Sequence, residues 1–272
     1  MSYAPYAPPQ HSQGHGGGYG PVYQYSPLGW KTTAAVGGIA GMLVVQPLQT
    51  ALALVMADTL RHPTPEDLGV ILLTGVVSLA QLVVSVCTYV FFLMWMHHAA
   101  KNVRAFGQQA LTVTPGWAVG WWFVPFASIW MPFVAMREVW RASDPETVGP
   151  HAQRPWMSAP VPAKLGIWWA TYILNGFLAM GIAIASMDFS GRSPVAGKPS
   201  AVSFLSHGLL TVAGVLIIII IRELARRQEA AWERLSSGDV HGRAQTAASP
   251  YDATNPYVPT DTSNPYAPPR PG

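Results

Sequence analysis

Thr114–Pro145, TPGWAVGWWFVPFASIWMPFVAMREVWRASDP, decides the fold, because it is apolar enough to cross a bilayer and too interrupted to do so simply. It holds five of the eleven tryptophans, Trp117, Trp121, Trp122, Trp130 and Trp140. Pro125 and Pro132 each remove a helical donor and crowd the preceding turn, and Pro115 biases Thr114 away from helical geometry. Two short helices near 116–124 and 126–142 are therefore easier to build than one straight rod. The exit is charged, through Arg137, Glu138, Arg141 and Asp144. Tryptophan prefers the headgroup level to the bilayer centre, so the broken segment 115–142 reads as a re-entrant or interfacial hairpin, with a kinked full span as the alternative.

The rest of the chain has the composition of a membrane protein. Half of the 272 residues are apolar and only 11% are charged, against about 25% in a soluble domain. Residues 32–57, 68–96, 165–187 and 204–221 carry no Asp, Glu, Lys or Arg, and each has about the length that crosses the hydrocarbon layer. The expected fold is all-α, with four transmembrane helices plus the broken hairpin, or five helices if the hairpin crosses. With four crossings, thirteen of the sixteen Lys and Arg fall on one side; with five, eleven do. The excess of positive charge on the cytoplasmic side therefore favours four, with both termini cytoplasmic in the cell membrane.

The membrane domain is expected over 30–237, between tails at 1–29 and 238–272 that are rich in Pro, Gly and Tyr and too polar to bury a core. The tails repeat a Pro-Tyr-x-Pro pattern, as in Pro5-Tyr6-Ala7-Pro8, Pro256-Tyr257-Val258-Pro259 and Pro265-Tyr266-Ala267-Pro268. Extended polyproline segments either dock in aromatic grooves of a protein partner or act as spacers. The first apolar run starts about thirty residues in and is too long for a cleaved signal, so it reads as a retained span. The net charge of +3 comes from arginines beside spans, which points to lipid headgroups rather than nucleic acid.

Within the spans, Gly37 and Gly41 have the spacing of a helix-packing face, internal or between the chains of a homo-oligomer. Gln46, Gln81 and Asn175 are the polar candidates at membrane depth, with Gln49 and His207 beside them. Gln46 precedes Pro47, so the neighbourhood is either a local kink or a polar cavity lining. Asn175 is expected to hydrogen-bond another helix. Trp168 and Trp169 read as an interfacial pair, and Cys87 as packing. The second span should continue as a wet, positive face through His97, Lys101 and Arg104. The last should continue to Gly238, with Glu223 paired to Arg226 or Arg227 and with Trp232 and Leu235 on the membrane surface. Lys101, Arg104, Arg222, Arg226 and Arg227 are the headgroup-contacting candidates.

An enzyme would have to assemble His97, His98, Glu138, Ser143 and Asp144, yet these have no metal-ligand or nucleophile spacing, and no phosphate loop appears. The local alternative pairs Glu138 with Arg137 or Arg141 and ends the helix at Asp144-Pro145. A transporter would use the break at Pro125, where backbone groups face a cavity. No cofactor is implied, and the expectation is a non-catalytic scaffold, sensor or envelope-organising module.

One resemblance sharpens the architecture. Trp95 with Lys101-Asn102-Val103-Arg104, the run Pro115 to Phe126, Trp130 with Pro132, Arg137 to Ser143, and Trp168-Trp169 together resemble the family called domain of unknown function 4328, found in bacterial membrane proteins. The similarity covers about Trp30 to Arg227. It implies a multi-pass membrane domain without an established activity.

Overall fold

The computed structural model describes residues 23–56, 59, 64–149, 152–186 and 201–247. It is all-helical, and four helices are long and apolar enough to cross a membrane. The Pro-Tyr-x-Pro repeats lie outside the described residues.

Helix α1, Gly29–Val55, continues through Pro47. Helix α2, Leu68–Ala105, follows a short turn at Pro65–Asp67 in which Asp67 accepts hydrogen bonds from the Thr64 amide at 2.9 Å and hydroxyl at 2.6 Å. At ~1.5 Å per residue α2 is about 57 Å long, so it crosses a ~30 Å hydrocarbon layer and projects well beyond it.

The broken segment forms two short helices, α3 at Pro115–Gly120 and α4 at Met131–Ala142. Their lengths are about 9 and 18 Å, and neither crosses a bilayer. The first ends earlier and the second begins later than the expected 116–124 and 126–142. Pro132 explains the second difference, because it lies in the first turn of α4, where a missing amide proton costs nothing. Pro132 therefore starts a helix instead of breaking one. The reversal itself is made at Phe126, whose φ is +63°. The Ala127 amide donates to the Pro125 carbonyl at 2.7 Å, closing a strained γ-turn around it.

Helices α5, Ala163–Ser186, and α6, Ala201–Ala247, complete the bundle. The expectation that Gly238 stops the last helix is corrected, since α6 runs nine residues past it. Glycine costs only ~1 kcal/mol in a helix interior, so Gly238 weakens the helix without having to end it.

The four long helices pack in the order α2, α1, α6, α5, with α3 against α2. Two glycines permit the closest approaches. A Cβ at Gly38 would lie 2.7 Å from Thr88 Oγ1 on α2, and one at Gly214 would lie 2.7 Å from Leu43 on α1. Gly37 and Gly41 instead have nothing within 4 Å of a Cβ position, so they do not form the internal face expected of them. Cys87 is likewise exposed on α2 instead of packed.

Packing is tightest at one end. There Trp95, Met96 and Ala99 of α2, Met136 and Trp140 of α4, and Ile220, Ile221 and Leu224 of α6 are buried together. At the opposite end Leu72, Leu73, Val76 and Leu79 of α2 are exposed.

Candidate functional site

Chain order brings the start of α1, the end of α2, α4, the start of α5 and the charged half of α6 to the same end of the bundle, where they form a polar cap. Its centre is Gln228, fully buried on α6. Gln228 accepts from Asn102 Nδ2 at 2.9 Å and donates to the Ala99 carbonyl and to Ser143 Oγ, both at 3.0 Å. Asn102, equally buried, also accepts from the Ser26 amide at 3.0 Å and donates to the Ser26 carbonyl at 2.9 Å. One side-chain pair thereby joins the segment before α1, the end of α2, the residue after α4, and α6.

Beside it, Asp144 meets Arg154 at 3.0 Å and Arg227 at 3.2 Å, and accepts from the Glu146 amide at 3.1 Å. Burial pushes the Asp144 carboxyl up, but the Glu146 hydrogen bond and the charges of Arg227 and Arg154 outweigh it and hold the group below the usual carboxylate range. The Arg227 guanidinium also lies 4.7 Å from the centre of the Trp140 ring, and Lys164 Nζ lies 5.4 Å from it. Lys164 pairs with Glu223.

Glu138 is engaged by the loop before α3. Its carboxylate accepts from the amides of Thr112 and Val113 at 3.1 and 2.9 Å, and from the Thr112 hydroxyl. Arg104 holds the same loop by donating to the Val113 carbonyl at 2.9 Å. Tyr25 stacks on Trp232 at 4.7 Å, and its hydroxyl is pushed up to about 12 by burial and by Glu229 and Glu233.

These contacts revise several expectations. Glu138 binds a loop backbone instead of Arg137 or Arg141, and Glu223 pairs with Lys164 instead of Arg226 or Arg227. Arg104 and Arg227 turn into the protein, while Arg222 and Arg226 remain exposed and Lys101 is half-buried. Trp168 and Trp169 are core residues instead of an interfacial pair, and Trp232 and Leu235 pack on the cap. Spacing along one helix finds only that helix's own neighbours, whereas at the packed helix ends these side chains come within reach of another element.

The broken segment divides its aromatics. Trp117, Phe123, Phe126 and Trp130 are exposed, with Phe126 at 80%. Trp117 stacks on Trp121 at 4.4 Å. Trp122 points inward, edge-on to Phe92, Trp169 and Tyr172. Trp169 Nε1 donates to the Ile129 carbonyl at 2.9 Å, which ties the turn to α5. Arg137 lies over Phe133, and Arg141 is half-buried.

Above Trp122 a cavity of about 500 Å³ runs between α1, α2, α5 and α6. Gln46 lines it, together with Thr50 and His207, whose side chains are 3.0 Å apart. Pro125 does not line it. Gln81 Nε2 meets Met42 Sδ at 3.2 Å, and Asn175 accepts from Ser206 at 2.6 Å, the interhelical hydrogen bond expected of it.

The five residues of an enzyme reading do not converge. His97 Nδ1 contacts the Pro115 carbonyl at 3.1 Å and His98 Nδ1 the Met94 carbonyl at 2.8 Å, while Glu138, Ser143 and Asp144 each have the separate partners described above. Among the described residues no three His, Cys, Asp or Glu side chains gather as a metal group.

Asn102 and Gln228 as a pair were not singled out from sequence. The signal was present, since Ala99, Asn102 and Phe106, like Leu224, Gln228 and Ala231, place an amide on an otherwise apolar helical face.

A family model described as Domain of unknown function (DUF4328) matches residues 69–226, more than half of the chain. The match begins at α2 and takes in the broken segment, the cap residues Asn102 to Asp144, α5 and the apolar part of α6. No curated protein and no solved structure matches the chain.

Proposed function

The chain belongs to the DUF4328 family, and we propose that it serves as a non-catalytic module of the bacterial cell membrane, a scaffold or sensor holding both chain ends on the cytoplasmic side. The cap carries this reading. Its buried amides and carboxylates are engaged in joining helices or fixing a loop, so they are spent on rigidity, whereas proton transfer needs a group that can reach a substrate. A rigid platform suits presentation of the Pro-Tyr-x-Pro tails to a protein partner. The exposed aromatics around Phe126 suit the headgroup layer, as an interfacial hairpin would require. A homo-oligomer is a further association within this reading.

Two measurements test it. In vesicles of the purified chain, deleting the tails should abolish capture of a partner that the full chain retains, and retained capture would remove the scaffold reading. Cysteine labelling at positions 128 and 150, in a Cys87→Ser background, should be absent from outside the cell at position 150. The cavity supports transport as a second reading, although no Asp, Glu, Lys or Arg lines it. Solute flux through vesicles that falls on Asn175→Leu would favour that reading.

A further inference from the structure

The cap does not explain the cavity between the spans. Its volume of about 500 Å³ lies within the roughly 300–1,000 Å³ of small-molecule sites. Its wall on α6 extends from Phe204 to Ile217, about 20 Å of helix at ~1.5 Å per residue, so the space is elongated along the bundle. Trp122 and Trp168 stand at the end nearer the cap. The walls between the ends are mainly apolar, with Ile39, Leu43, Phe92 and Leu210 among them, and no charged side chain contributes.

Ser85, Thr88, Tyr89 and Tyr172 line the cavity nearer the cap, where the Ser85 and Thr88 hydroxyls donate to carbonyls of their own helix and the two tyrosines meet each other. Gln46 and Thr50 of α1 and His207 and Thr211 of α6 gather toward the end remote from the cap, and Thr50 Oγ1 lies 3.0 Å from His207 Nε2. The helices flanking the cavity, α2 and α5, are the outer members of the row and pack mainly through α1 and α6. The space between them is bridged near the cap, where Tyr89 lies beside the Tyr172 hydroxyl.

Along the mainly apolar walls an apolar occupant gains dispersion contacts that water does not make. A charged solute would lie in low dielectric without a counter-charge. A bilayer offers one abundant species that is apolar over about 20 Å and neutral and polar at one end. We propose that the cavity is a binding site for one acyl chain of a bilayer lipid. The chain lies along α6 with its tip toward Trp122, and the neutral ester or hydroxyl group that follows the chain meets Gln46, Thr50 and His207. Such hydrogen bonds are individually weak in membranes, so they orient the lipid while the walls hold it. This inference is independent of the scaffold reading.

The test uses the full chain in phosphatidylethanolamine and phosphatidylglycerol vesicles, doped with a phosphatidylcholine whose acyl chain ends in a photoactivatable diazirine. After irradiation, peptide mass spectrometry should find adducts on Phe92, Trp122 or Ile217. Leu210→Trp and Thr211→Phe, which fill the cavity from α6, should each lower this labelling at least fivefold. Val212→Trp, on the exposed side of α6, should leave it unchanged. Thermal unfolding identifies any filled variant that fails to fold, and the other then carries the test. Adducts confined to outward residues such as Leu72, Leu79 and Val83, or lining adducts at undiminished yield in a folded filled variant, would overturn the proposal.

Discussion

Asn102 and Gln228, 126 residues apart in the chain, share a 2.9 Å hydrogen bond, and both side chains are fully buried. Each is the other's partner and also the link to a third segment, Ser26 for Asn102 and Ser143 for Gln228. In apolar surroundings a donor left without its acceptor costs about 1–3 kcal/mol.

Gln228→Leu should therefore lower stability by about 2–4 kcal/mol, because it leaves one hydrogen of Asn102 Nδ2 without an acceptor and removes the bonds to Ser143 Oγ and the Ala99 carbonyl together. Asn102→Leu should cost a similar amount. The double variant should cost less than the two added, since both remove the same bond. Thermal unfolding of the four proteins in one detergent measures the coupling, and simple additivity would contradict the network.

Asp144 gives the cap a defined response to acid. Its folded-state pKa is depressed, so it contributes stability at pH values above its unfolded pKa of about 3.9, and this is lost as pH falls through the folded value. Unfolding followed from pH 7 downward should show a loss beginning near pH 4. Asp144→Asn should already be less stable at pH 7, by about 1–3 kcal/mol given the partly exposed arginines, and should show a smaller further loss on acidification.

At the hairpin tip, Phe126 holds a positive φ that glycine adopts freely. Phe126→Gly should raise the unfolding temperature in detergent, by the equivalent of roughly 1 kcal/mol of released strain. Phe126→Val, with a branched Cβ in the same conformation, should lower it. Equal effects of both variants would show that the turn is not conserved in solution.

Gly38 and its neighbour Gly37 form an internal control. Gly38→Val would drive a Cβ into Thr88 and separate α1 from α2, with an expected loss of about 1–3 kcal/mol. Gly37→Val meets open space and should change stability by less than about 0.5 kcal/mol. Should Gly37→Val instead alter the apparent mass of the protein in mild detergent, the face carrying Gly37 and Gly41 would be an interface between copies of the chain.

Much of the architecture was legible in the residues because it depends on local properties. Uncharged intervals of bilayer length identify four spans whatever they pack against. Pro115, Pro125 and Pro132 divide the tryptophan-rich segment whatever surrounds it, although which proline breaks a helix and which begins one depended on the turn at Phe126. The expected hydrogen bond of Asn175 also followed from one residue, because an amide at membrane depth must find a partner.

What only the tertiary structure decided is which partner each polar residue finds. Local spacing assigned Glu138 to Arg137 or Arg141 and Glu223 to Arg226 or Arg227, whereas the folded chain gives Glu138 the amides of Thr112 and Val113 and gives Glu223 Lys164 on another helix. The rotation of each helix about its axis chooses between Gly37 and Gly38, and between a headgroup and Asp144 for Arg227. That rotation is set by how α1, α2, α4 and α6 pack as a group. Hydrophobic length and proline are properties of a segment, and the sequence states them directly; a contact over 126 residues exists only once the helices have closed around it.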